Sequence, residues 1–418
     1  MGIGTFVNRT VQPVAAPTNR SRTPTGDLIL IAAVVALGII GLLMLYSAST
    51  DFARLIKKPP TYLFNKQLLW IAIGTVAAFV LSNINYHHWR KLALPLMFVT
   101  VVALIAILFI NDVRNNAVRS FVGGSIQPSE LAKLATIIYL SVWLYSKREY
   151  LHDTQLGLIP LAIILGAIGG LIVIEPDISA AVTVFILGGL LFFLAGGELR
   201  QIVLFCIVAL AVGWLVVKFS PTGQNRFGPY LAGLKDPLKS SSHVLWSLEA
   251  VYKGRLFGVG IGNATTKLIG LPYAATDSIF AVVVEELGLL GALVLISLYG
   301  VLLWRGLAIS AKAPDMLGSV MAAGLTFWIV IEAAINMAVM VGLLPFAGNA
   351  LPFISAGGSN LICTMSAIGI LLGISRQSGK KVPVEKNERR SYSASVDLRR
   401  RDRRRSVSRP GRPASHQG

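Results

Sequence analysis

Long uncharged apolar runs alternate with short polar connections along almost the whole chain, and their length predicts helices rather than strands. The runs cover Leu28–Leu45, Gln67–Ser82, Leu92–Ile110, Leu131–Tyr145, Leu156–Ile174, Ile178–Ala195, Ile202–Val217, Ser278–Trp304, Leu317–Leu344 and Asn360–Ile374. About 20 apolar residues in a helix cross the roughly 30 Å hydrocarbon layer of a bilayer, so the pattern reads as an all-α polytopic membrane protein with about ten transmembrane helices. The first run is followed by Tyr46-Ser47-Ala48-Ser49, which looks like a small-residue cleavage site. A run of 18 residues is longer than a signal-peptide core, however, and reads as a retained anchor. There is no internal repeat of the secondary-transporter type.

One connection breaks the rhythm. Between the seventh and eighth predicted helices, Phe219 to Thr276 forms a mixed polar, Gly- and Pro-containing stretch of 58 residues. A loop of that length in a compact protein is usually functional. Its Trp246, Leu248, Val251 and Tyr252 predict amphipathic helical stretches lying on the membrane face.

Charge changes the picture through its location. The chain has 418 residues, 54% hydrophobic and only 14% charged, yet carries a net charge of +18. Residues 1–26 hold +3 and residues 376–418 hold +10, while the long loop at 219–276 holds +4. The division is therefore a disordered basic arm (1–26), a transmembrane domain (27–375) and a disordered basic tail (376–418). Under the positive-inside rule the two basic ends lie in the cytoplasm, which an even helix count permits, and the long loop is exported. Basic tails beside a membrane suit anionic lipids as partners, and no nucleic-acid partner is expected. Cys206 and Cys363 both fall inside apolar runs, which excludes a disulfide framework and a Cys-based metal site.

Ionisable residues in or beside a membrane span are costly and are the first candidates for function. Four places qualify. In Gln127-Pro128-Ser129-Glu130-Leu131-Ala132-Lys133, Ser129 can cap a helix, and Glu130 and Lys133 share one face. A cap with an intrahelical ion pair fits that spacing, and so does a lysine facing a polar cavity with Arg119. In Glu175-Pro176-Asp177 the proline ends one helix and Asp177 can cap the next. The third place runs from Gly254 to Glu286. Its Gly258-x-Gly260-x-Gly262 follows no strand and is no dinucleotide fingerprint, while Asp277 sits where the loop meets a helix, as either an N-cap or a general base. Glu285 and Glu286 lie about 12 Å deeper at helical rise, too far to pair closely with Asp277. The fourth is Glu332 and Asn336, one turn apart in an apolar helix, followed by a Gly/Pro/Ser-rich stretch from Pro345 to Ser359 that reads as a tightly turned or re-entrant outer loop.

Taken in order, Tyr46-Ser47-Ala48-Ser49, Gln127 to Lys133, Glu175-Pro176-Asp177, Gly258 to Asn263, Thr276-Asp277, Glu285-Glu286-Leu287-Gly288 and Leu351-Pro352-Phe353-Ile354-Ser355 resemble the SEDS family, the RodA, FtsW and SpoVE proteins of bacterial elongation, division and sporulation. The resemblance runs from about Asp27 to Arg376. It implies a glycosyltransferase that polymerises lipid II into peptidoglycan strands on the outer face of the cytoplasmic membrane, beside a class B penicillin-binding transpeptidase. It also implies that Asp277 is catalytic and activates the acceptor sugar hydroxyl, with undecaprenyl diphosphate as leaving group. Arg119, Glu130, Lys133, Arg226 and Lys267 are the substrate-binding candidates, the cations among them facing the diphosphate. A divalent cation would suit a diphosphate, but the sequence offers no clear ligand set. Where the family commonly reads Pro-Glu-Ala-His-Thr-Asp-Phe, this chain has Pro272-Tyr273-Ala274-Ala275-Thr276-Asp277-Ser278. Ala356 replaces a usual tyrosine, and Glu332 stands where glutamine is common. Two further readings are a lipid II transporter and a non-catalytic scaffold for the transpeptidase.

Overall fold

The computed structural model describes residues 27–55, 59, 61–109 and 127–378. It consists of α1 (Leu28–Leu55), α2 (Tyr62–Asn83), α3 (Trp89–Phe109), α4 (Pro128–Ser146), α5 (Ile159–Ile174), α6 (Ile178–Leu194), α7 (Leu199–Phe219), α8 (Pro221–Lys235), α9 (Ser242–Gly254), the single turn α10 (Thr266–Ile269), α11 (Ile279–Ala311), α12 (Met316–Met340) and α13 (Gly358–Gln377). No strand occurs among the described residues. Eight helical segments are long and apolar enough to cross a membrane. Two of the predicted spans fall outside that group: α4, which carries Glu130 and Lys133 near its start, and α6, an apolar helix of 17 residues. The eighth predicted span continues to Ala311, giving α11 33 residues, whereas the ninth stops at Met340, just before Gly342 at φ +77°.

α12 is the central post. It packs against α4, α6, α11 and α13, and its Trp328 is fully buried. Gly324 lets Leu191 and Ile137 come so close that a Cβ there would meet them at 2.7 and 2.9 Å. At the edge, α2 and α13 meet backbone to backbone, since a Cβ on Gly369 would lie 2.5 Å from the Ala78 carbonyl oxygen. Small residues permit such approach where apolar lipid supplies no hydrophobic drive between helices. The periphery is apolar and uncovered. Leu199, Val203, Ile207, Leu210, Trp214 and Phe219 all lie exposed along α7, which is the expected surface of a helix facing lipid.

Polar groups gather at the two ends of the bundle. At one end Asp27 caps α1 through the Leu30 amide (3.1 Å) and accepts from Arg305 Nε (2.9 Å) near the end of α11. There Asp315 caps α12 through the Gly318 amide (2.8 Å) and accepts from Tyr86 (3.0 Å). The opposite end carries α8, α9 and the segments 255–278 and 341–357. Trp246, Leu248, Val251 and Tyr252, where the sequence predicts amphipathic helix, fall on α9.

Candidate functional site

Asp277 stands at this second end, half-buried, in the turn that leads into α11. The turn is tight: Tyr273 has φ +53°, and its carbonyl accepts from the Thr276 amide (3.0 Å) and the Ser278 amide (3.2 Å). The N-cap position of α11 belongs to Ser278, so Asp277 lies one residue outside the helix. Its carboxylate points toward Gly348, where a Cβ would lie 3.2 Å from Asp277 Oδ2 and 3.9 Å from Arg226 Nη2. The carboxylate and the guanidinium therefore converge on the same glycine, Arg226 coming from α8 and Gly348 from the Pro-rich segment after α12.

An aromatic wall stands beside this pair. The His243 ring, from α9, stacks on Phe346 at 3.8 Å between centroids and lies parallel to Tyr273 at 5.8 Å. Its Nδ1 is 3.3 Å from Ser278 Oγ. Arg226 sits over the other aromatic partner, 5.9 Å from the Phe346 centroid. Burial, reinforced by the Arg226 charge, pushes the His243 pKa from the ordinary imidazole value down to about 4. His243 is thus a neutral imidazole at physiological pH, a hydrogen-bonding wall residue rather than a cation. A cleft lined by Arg226, Tyr230, Ser241, Val244 and Phe346 continues outward between α8 and α9.

The intrahelical Glu130–Lys133 ion pair that the spacing suggests is present and is extended by a second carboxylate. Lys133 Nζ donates to Glu130 Oε1 at 2.9 Å and also to Glu332 on α12, while Asn360 Nδ2 of α13 donates to Glu130 Oε2 at 2.9 Å. All four side chains are buried. One ammonium is shared by two carboxylates, and three helices meet on it. Ser129 does not cap α4; the N-cap residue is Gln127, and the Ser129 hydroxyl donates to Asp177 Oδ2 at 3.0 Å. Asp177 caps α6 as its position predicts, accepting from the Ala180 amide at 3.2 Å.

Lys267 is placed beside α11 and α1 rather than in contact with the Asp277 turn. Its Nζ lies 2.7 Å from Glu286 Oε1 and donates to Ser47 Oγ at 2.7 Å. Glu285 accepts from the Thr265 amide at 2.8 Å and from both the amide and the hydroxyl of Thr266. Both acids thus hold the loop down onto α11. The Gly258-x-Gly260 pattern acquires a structural meaning in the same place, because the Val259 and Gly260 amides donate to the Glu285 and Glu286 carbonyls, and the Leu289 and Leu290 amides to the Arg255 and Leu256 carbonyls. This pairing opens α11 at Gly288 (φ +70°), whose missing Cβ would otherwise meet the Gly258 nitrogen at 2.4 Å. Gly288→Ala is expected to cost on the order of 1–3 kcal/mol, read as a lower thermal midpoint in detergent; an unchanged midpoint would mean that the pairing carries no stability.

Sequence reasoning did not single out His243 or Phe346 as site residues, and Arg119 lies outside the described residues. Asn336 was found by its polarity within an apolar run; its Nδ2 donates to the Asp277 carbonyl at 2.8 Å. Among the described residues no group of three or more His, Cys, Asp or Glu is placed to hold a metal ion.

Comparison with known proteins bears on the family and the fold. Residues 27–380 match the family described as cell cycle protein, FtsW, RodA and SpoVE. Stage V sporulation protein E of Bacillus subtilis (strain 168) is 36% identical over 366 residues, spanning 86% of this chain and 99% of that protein. A probable peptidoglycan glycosyltransferase FtsW of Trichlorobacter lovleyi is also 36% identical, over 84% of this chain and 93% of its own length. Among solved structures, a chain from a peptidoglycan synthase complex that coordinates polymerization and crosslinking superposes with a TM-score of 0.70 at 25% identity, covering 85% of this chain and 99% of that one. The rod shape determining protein RodA of Thermus thermophilus has the same fold, with a TM-score of 0.63 at 24% identity over 84% of this chain and 97% of that one. With the family matched over residues 27–380 and relatives 36% identical along nearly their whole length, this chain belongs to the FtsW, RodA and SpoVE family of cell cycle proteins.

Proposed function

We propose that this protein is a peptidoglycan glycosyltransferase that polymerises lipid II into glycan strands. The observation that carries the reading is the convergence of Asp277 and Arg226 beside Gly348. The half-buried carboxylate takes the proton from the acceptor sugar hydroxyl as its oxygen bonds to the donor's anomeric carbon. The bond from that carbon to the undecaprenyl diphosphate oxygen breaks, and Arg226 stabilises the charge on the departing diphosphate. The neutral, stacked His243 and Phe346 form the wall against which a sugar ring can lie.

In this reading Glu130 and Lys133 support the site from below and Lys267 fastens the loop, while Arg226, converging with Asp277 on Gly348, is the cation that meets substrate. In the same reading α4 and α6 complete ten spans, which leaves both chain ends on one side, and their basic charge assigns that side to the cytoplasm and Asp277 to the outer face. The basic ends at 1–26 and 376–418 associate with anionic lipid. A transpeptidase of the class B penicillin-binding type is the partner that a lipid II polymerase in this family requires, and the similarity to a chain of a synthase complex supports it.

The test is direct. Full-length protein reconstituted with its transpeptidase and supplied with lipid II should yield long glycan strands on a gel. No polymer from the assembled pair, together with movement of labelled lipid II across the vesicle membrane, would replace this reading by transport.

A further inference from the structure

A carboxylate in a turn is a poor base unless something fixes its direction, because the turn backbone and the side chain both move. Three consecutive carbonyls of this turn are occupied from behind. The Ala275 carbonyl accepts from the Ala356 amide at 2.9 Å, the Thr276 carbonyl from Ser355 Oγ at 2.6 Å, and the Asp277 carbonyl from Asn336 Nδ2 at 2.8 Å. The same Asn336 nitrogen donates its second hydrogen to the Asn349 carbonyl at 2.6 Å. Ser355 is itself braced, its Oγ accepting from the Leu351 amide at 2.7 Å and its carbonyl from Gln67 Nε2 at 3.2 Å. Asn336 and Ser355 are both buried.

We infer that Asn336 and Ser355 are positioning residues for Asp277, clamping the backbone of residues 275–277 so that its carboxylate is held beside Gly348 and Arg226. The orientation of the Asn336 amide is fixed by chemistry, since both of its neighbours are carbonyls that only accept, so the atom between them must be the one carrying two hydrogens. That one nitrogen ties the segment bearing Asp277 to the segment bearing Gly348, one residue before Asn349. The clamp also reaches the buried ion cluster, because Asn336 lies one turn beyond Glu332 on α12 and Glu332 holds Lys133 of α4. Lys133 and Glu332 thereby set the height and rotation of the helix that presents the Asn336 amide. Neither touches Asp277.

This inference rests on Asp277 being the base, and the test separates the two ideas. Asn336→Asp is the sharpest variant: nearly the same shape, but with an oxygen facing two carbonyl oxygens. Ser355→Ala removes the second tie, and Ser355→Thr keeps its hydroxyl. Each full-length variant is assayed for lipid II polymerisation over a range of lipid II concentrations, and amide hydrogen exchange is followed across residues 273–278. A displacement of about 1 Å at a reacting group can cost about 100-fold in rate. The expected result is therefore a kcat lowered about 10–100-fold in Asn336→Asp at little changed KM, a smaller loss in Ser355→Thr than in Ser355→Ala, and faster exchange confined to 273–278. A raised KM with intact kcat, or wild-type kcat in Asn336→Asp, would overturn the assignment. If the parent protein makes no polymer, the exchange readout still decides: faster exchange at 273–278 in Asn336→Asp supports the clamp, and unchanged exchange removes it.

Discussion

Asp277→Ala should reduce lipid II polymerisation by about 10²–10⁴-fold, the usual contribution of a positioned general base, while the protein remains folded and inserted. The expectation of intact folding follows from where the side chain sits. The carboxylate is half-buried at the end of the bundle, outside α11, and the ties that hold its segment are made by carbonyl oxygens that the substitution leaves in place. Asp277→Asn refines the result, since an amide of the same shape keeps the packing beside Gly348 and Arg226 but cannot accept a proton at neutral pH. Both variants should be inactive with KM little affected where it can be measured. Strands of normal length from Asp277→Ala would remove the base from this residue. Cells kept viable by the Asp277→Ala copy but not by a deletion would favour a scaffolding role.

Lys133→Met is the second large effect, and it appears in stability. The ammonium is the shared partner of Glu130 and Glu332, with all three groups buried among α4, α12 and α13. Removing one partner of a buried ion pair strands the remaining charge at a cost of about 3–5 kcal/mol, and here two carboxylates are left facing each other. Asn360 gives Glu130 one hydrogen bond and cannot replace a cation. Thermal unfolding in detergent should show the loss. Adding Glu130→Gln and Glu332→Gln to Lys133→Met should recover most of it, because a neutral cluster of similar volume no longer carries the desolvation cost. Activity then separates the roles: a triple variant that regains both stability and turnover makes Lys133 a support, whereas one that is stable but inactive makes it a substrate ligand. A Lys133→Met protein of parental stability would show that the cluster contributes nothing to the fold.

Hydropathy alone located the eight helices among the described residues that are long and apolar enough to cross a membrane, because an uncharged apolar run of that length has no comparable home in a water-soluble fold, and it marked 219–276 as different in kind. Residue chemistry then placed Asp277, Asp177 and the Glu130–Lys133 pair, whose neighbours are close in sequence. Partners distant in the chain stayed invisible. Glu332 joins Lys133 across 199 positions, and Lys267 meets Ser47 across 220. Helical periodicity reports which face a residue occupies but not which helix will stand opposite. The counterpart of the glycines at 258 and 260 is the opening of α11 at Gly288, which no local rule predicts inside an apolar run. His243 gave little signal because its setting, stacked between two aromatic rings from separate loops, exists only once those loops are folded.

The opening at Gly288 gives α11 two pieces of unequal length. Leu289 to Ala311, 23 of its 33 residues, make about 35 Å of helix at 1.5 Å per residue, against about 30 Å of hydrocarbon. Arg305, paired with Asp27, lies near one end of this longer piece, and the shorter piece, Ile279 to Leu287, lies beyond the break next to the turn that carries Asp277. The longer piece is by itself long enough to cross the hydrocarbon layer, so α11 can span a membrane without the shorter piece. The direction in which the shorter piece presents the Asp277 turn is thus set by the pairing of Gly258 with Gly288 and not by the axis of the membrane-length piece.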